Sequence, residues 1–142
     1  MENTKINYGR MIMGGVLAAV VLFAVGFLIH GVVLADNYKF FEGKSIWSLE
    51  YPKKYGMLVD IGGHLVSGMC LSFLYVIARK FGTPGPMIAI LVGFLVGLST
   101  ISGISAEYAF YNFGKMIPLM SLVNNIVGCI LATLLAGLVY KD

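Results

Sequence analysis

The fold class predicted by the sequence is an all-α membrane protein, a bundle of four antiparallel transmembrane helices, and three observations predict it. Hydrophobic residues make up 58% of the 142 positions and charged residues only 12%, about half of the ~25% that a soluble domain carries. The mean hydropathy is +0.87. The apolar residues gather into four runs of about 20 or more, the length that crosses ~30 Å of hydrocarbon at about 1.5 Å per residue. Lys and Arg stand singly or in pairs at the ends of these runs or in the connections between them, as topology and interface anchors do. A chain of this length holds four spans and their connections, which makes residues 1–142 one domain with no room for a separate soluble one.

The first span, residues 11–35, follows a polar stretch containing Lys5 and Arg10. Its apolar run exceeds the ~7–15 residues of a signal-peptide core, so it reads as a retained helix. Gly14, Gly15, Ala18, Ala19 and Gly26 are small enough to let a neighbouring helix approach closely, and His30 lies near the end of the run. Residues 36–55 mix lysines and acids with Trp47, Tyr51 and other aromatics, the composition of an interfacial loop of about 20 residues lying against the headgroups. The second span, residues 56–78, ends at Arg79 and Lys80, and Phe81-Gly-Thr-Pro-Gly-Pro86 is a short turn by composition.

In the third span, residues 87–108, a stripe of Gly93, Gly97, Thr100, Gly103 or Ile104, and Glu107 recurs at helical spacing. Gly93 and Gly97 form a Gly-x-x-x-Gly packing element within it. A short aromatic connection leads to the fourth span, residues 116–140, where Ser121, Asn125, Gly128 and Ala132 share one small, polar face. Cys70 and Cys129 both fall mid-span and read as small buried hydrophobes. There is no internal repeat and no β pattern.

The chemistry concentrates at Asp60-Ile-Gly-Gly-His64, where two ionisable side chains one turn apart share a helical face that Ser67 continues. An ionisable group at membrane depth costs on the order of 3 kcal/mol on insertion scales and normally faces a bundle interior or a wet cavity. Alternating spans bring His30, Asp36, Asp60, His64, Glu107, Asn124 and Asn125 to one side of the membrane, each within about ten residues, or ~15 Å, of a span end. The other half of the bundle has essentially no ionisable residue inside the spans.

Four uses fit this one-sided set. His30, Asp60, His64 and Glu107 are ligand types for a divalent metal such as Zn, Mn or Fe. His30 and His64, on different helices, are candidate axial ligands of a haem. The carboxylates could instead form a proton or cation path. The fourth use is a satisfied polar cluster, including Asp36, Ser67, Asn124 and Asn125, that locks helix packing and binds nothing. Nucleophile elbows, His-Glu-x-x-His zinc motifs, phosphate-binding loops and Cys-x-x-Cys pairs are all lacking. The net charge of +3 comes from dispersed anchors, which argues against nucleic acid.

Gly14-Gly15-Val-Leu-Ala-Ala-Val-Val, His30-Gly31-Val-Val-Leu-Ala35 and Leu131-Ala-Thr-Leu-Leu-Ala-Gly-Leu-Val-Tyr140 together resemble small, uncharacterised bacterial four-span membrane proteins. That resemblance implies the fold and a bacterial inner-membrane location, and it brings no activity. The expected protein is therefore a non-enzymatic polytopic membrane protein, a small structural or accessory subunit of a homo-oligomer or larger membrane complex. Its alternatives are a metal- or haem-binding module and a proton or cation conductor. Basic residues divide evenly, with Lys5, Arg10, Arg79, Lys80 and Lys141 on the side of the termini and Lys39, Lys44, Lys53, Lys54 and Lys115 opposite. Arg10, Arg79 and Lys80 hug span ends, which predicts cytoplasmic termini.

Overall fold

The computed structural model describes residues 5–39, 41, 55–82, 85–110 and 113–140, and the side chains of Glu107 and Phe110 fall outside that description. Six α-helices and one π-helical stretch account for nearly all of it, with no strand among the described residues. These are α1 (Tyr8–Gly26), which continues as a π-helix over Phe27–Val33, α2 (Ala35–Lys39), α3 (Met57–Ala78), α4 (Pro86–Ser99), α5 (Ile101–Phe110) and α6 (Met116–Val139). Most of the loop expected between the first two spans, residues 40 and 42–54, lies outside the described residues, as do residues 83–84 of the expected turn and residues 111–112.

Four helices are long and apolar enough to cross a membrane: Tyr8–Val33, Met57–Ala78, Pro86–Ala106 and Met116–Val139. Only 22–28% of each apolar window is buried inside the protein, so their hydrophobicity extends round the whole helix, as it does in spans that face lipid.

Local chemistry sets the element ends. Asn7 caps α1, its Oδ1 accepting from the Arg10 amide at 3.1 Å, so the helix starts three residues before the apolar run. The π stretch ends where the Leu34 amide bonds the Ile29 carbonyl at 2.9 Å, five residues back. The third apolar run differs from the unbroken span expected, because α4 gives way to α5 at Thr100. There Ser99 Oγ donates to the Val96 carbonyl and Thr100 Oγ1 to the Gly97 carbonyl, both at 2.7 Å, and such back-bonding loosens the regular ladder. Ahead of α6, Gly114 takes a φ of +71°, open to glycine without a Cβ penalty.

Packing rests on backbone-to-backbone approach. A Cβ at Gly15 would stand 2.5 Å from Met69 Sδ, and one at Gly68 would overlap the Gly15 carbonyl and Ala19, so α1 and α3 touch here almost without side chains. Between α4 and α6, a Cβ at Gly93 would reach 2.6 Å from Ile130 Cα and one at Gly97 2.6 Å from Ile126 Cα. Ala18, Leu71, Cys129, Ala132 and Ala136 form the core that joins α1, α3 and α6. Cys70, in contrast to the burial expected for both cysteines, is exposed, because its position on α3 turns outward from that core.

Tyr140 ties three chain ends together. Its hydroxyl accepts from the Asn7 amide at 3.0 Å, its carbonyl accepts from Arg79 Nη1 at 2.7 Å, and the Arg79 guanidinium lies 4.9 Å over its ring. Near the same end, the buried Ser72 hydroxyl donates to the Met11 carbonyl at 2.7 Å.

Candidate functional site

In the first half of α3, Cβ atoms at Gly62 and Gly63 would meet nothing within 4 Å. A cleft of about 760 Å³ is lined by Phe23, Gly26, Phe27, His30 and Gly31 from α1 and its π extension, Gly56, Met57, Asp60 and His64 from the start of α3, and Asn124 and Asn125 from α6. The volume lies within the ~300–1,000 Å³ typical of small-molecule sites. A shallower recess on the outer side of α3 is lined by Val59, Asp60, Gly63, His64 and Ser67, so Asp60 and His64 form the lip between the two.

Asp60 sits in the first turn of α3, where the helix N-terminus favours a carboxylate. His64 folds back on it: the Nδ1–H donates to the Asp60 carbonyl at 2.8 Å, and the Asp60 carboxylate Oδ1 lies 3.5 Å from the same nitrogen. Since a carbonyl can only accept, Nδ1 carries the proton, and Nε2 faces Gly26, where a Cβ would stand 3.7 Å away. The Phe23 ring meets His64 edge-on, with centroids 5.8 Å apart. Phe23, His64 and Asp60 thus form one continuous wall. The Asp60 side chain is 56% exposed and that of His64 25%, so the carboxylate is reachable from the opening.

His30 is held differently. Its Nδ1 is 2.8 Å from the Tyr38 hydroxyl, with the rings tilted at 37°; Tyr38 belongs to α2, which follows the π stretch. On the α6 side, Asn124 Nδ2 donates to Asn125 Oδ1 at 3.3 Å, and Asn125 Nδ2 donates to Thr100 Oγ1 at 3.0 Å, joining the cleft to the α4–α5 corner. Asn124 Oδ1 is buried without a hydrogen-bond partner among the described residues.

Of the residues singled out in the sequence, His30, Asp60, His64, Asn124 and Asn125 meet at this cleft. Asp36 does not line it: its carboxylate is 88% exposed and pairs with Lys39 Nζ at 2.7 Å. The hydrogen bond from Lys39, and then its charge, hold the Asp36 carboxyl below its ordinary range. Ser67 lines only the outer recess, and the Glu107 side chain lies outside the described residues. No group of three or more His, Cys, Asp or Glu suited to a metal ion occurs among the described residues. Phe23, Phe27, Met57 and the His30 partner Tyr38 are lining or supporting residues that sequence reasoning passed over, since an aromatic or Met in an apolar run carries no mark of the direction it faces. Comparison with protein-family models, with curated proteins and with solved structures finds no match.

Proposed function

We propose that the protein is a non-enzymatic integral membrane protein, an antiparallel four-span bundle that serves as a small accessory or structural subunit in a homo-oligomer or larger membrane complex and holds a ligand in its cleft. The observation that carries this reading is the convergence of His30, Asp60, His64, Asn124 and Asn125, from three separate stretches of chain, on one cleft at one end of an otherwise apolar bundle. Polar side chains cost free energy at membrane depth, and grouping them round an open volume is the arrangement expected of a binding site. Antiparallel order is supported by the pairing of Gly93 with Ile130 and Gly97 with Ile126, which run in opposite directions, and by the joint anchoring of Asn7, Arg79 and Tyr140 at one end. A bacterial inner membrane with cytoplasmic termini completes the reading, which leaves the cleft opening towards the far face.

A charged maleimide tests it on intact membranes. In a Cys70→Ala background, with Cys129 buried, His64→Cys is expected to be modified while Leu95→Cys, on the exposed apolar face of α4, is not. An inert His64→Cys would mean that water does not enter the cleft. Modification of Leu95→Cys at the same rate would mean that the helices do not lie in a bilayer. Either result removes the proposal.

A further inference from the structure

The lining of the cleft is unbalanced in charge. With the histidines counted as neutral, Asp60 supplies its one formal charge, and among the described residues the ionic neighbour of that carboxylate is His64 at 3.5 Å, longer than a hydrogen bond. Besides the polar His30, Asn124 and Asn125, the rest of the lining is apolar or aromatic: Phe23, Phe27, Met57 and the glycines 26, 31 and 56. A carboxylate in a cleft also lined by phenylalanines attracts a cation by ion pairing, and the rings add attraction through their quadrupole. It also repels an anion. A body with apolar surface would cover the phenylalanines while its charge met Asp60.

Resting on the reading of the cleft as a binding site, we propose that its ligand is a monovalent organic cation with an apolar body, with Asp60 as counter-ion and Phe23 and Phe27 as the walls that contact the body. Glycine at positions 26 and 31 keeps the floor open, because Phe27 already packs onto Gly31 with ring carbons 3.3 Å from where a Cβ would stand. His64 holds its place between counter-ion and aromatic wall through its bond to the Asp60 carbonyl, and so acts as a positioning residue for both. The same chemistry is offered by a soluble lipophilic cation and by the ammonium headgroup of a lipid that enters from the side.

The test uses the full chain in dodecyl maltoside and two ions of one shape and opposite charge, tetraphenylphosphonium and tetraphenylborate, with binding read by titration calorimetry. Saturable binding of the phosphonium at one per chain is expected, with little or no binding of the borate. Asp60→Asn should weaken phosphonium binding at least about tenfold, Asp60→Glu should retain it, and Phe23→Ala should weaken it a few-fold. Asp36→Asn, which removes a carboxylate outside the cleft, should leave it unchanged. Repeating the titration in nanodiscs with and without phosphatidylethanolamine identifies the source: competition by the lipid points to a headgroup and its absence to a soluble cation, and both agree with the proposal. Absence of saturable phosphonium binding, equal binding of the borate, or unchanged binding in Asp60→Asn overturns it. If His64→Cys is still labelled from water, such a failure removes the cation and leaves the cleft standing as a site for another ligand.

Discussion

Single side chains at the α4–α5 corner illustrate how a polar group is accommodated in an apolar bundle. Thr100 Oγ1 donates to its own helix at the Gly97 carbonyl and accepts from Asn125 Nδ2 at 3.0 Å, so one hydroxyl both loosens α4 and attaches α6 to the break. Interhelical hydrogen bonds between membrane helices contribute on average ~0.6 kcal/mol and at most ~1.7. Asn125→Ala and Thr100→Val are each expected to lower stability by about 1 kcal/mol and to be non-additive, because each removes the same bond. A double-mutant cycle from unfolding in mixed detergent reads the coupling, and strictly additive losses would show that the bond contributes nothing. Sequence reading placed Thr100 and Asn125 on the polar faces of their helices and could not pair them, since pairing depends on how far each helix is rotated about its axis.

For the elements, the glycines separate into two kinds that are identical in sequence. At Gly93 and Gly97 a Cβ would collide with the α6 backbone at 2.5–2.7 Å, whereas at Gly62 and Gly103 it would meet nothing within 4 Å. Gly93→Ala is expected to destabilise the α4–α6 pair by roughly 1–3 kcal/mol through overpacking, since backbone cannot move aside as a side chain can. Gly103→Ala should be neutral or gain up to ~1 kcal/mol of helix propensity. Thermal unfolding in detergent compares the two, and equal effects would argue against the close approach. The π stretch after Gly26 was equally invisible in the sequence, because its apolar residues satisfy a helical pattern whether the bonds span four residues or five. Its consequence is local: it carries Phe27, His30 and Gly31, all of which line the cleft.

Across the whole molecule, the knot at Tyr140 gathers Asn7 and Arg79 at one end, and the cleft gathers polar residues away from it. In the proposed antiparallel arrangement the Lys and Arg counts are equal on the two sides, so the proposed orientation depends on how close the charges stand to the spans. A reporter enzyme active only in the cytoplasm, fused after Asp142, is expected to be active. Activity only of a reporter that works outside the cytoplasm would reverse the orientation and turn the cleft inward. The sequence by itself determined that there are four long apolar helices, and also how far along each one the polar residues fall, because hydropathy and residue count along an axis are properties of the chain alone. Which of those residues meet was decided only by the tertiary structure. Rotation of each helix set Asp60 and His64 with Phe23 at one cleft, while glycine contacts close α1 on α3 at Gly15 and Gly68. An apolar all-round span does not record its own rotation, because lipid accepts every face of it equally well.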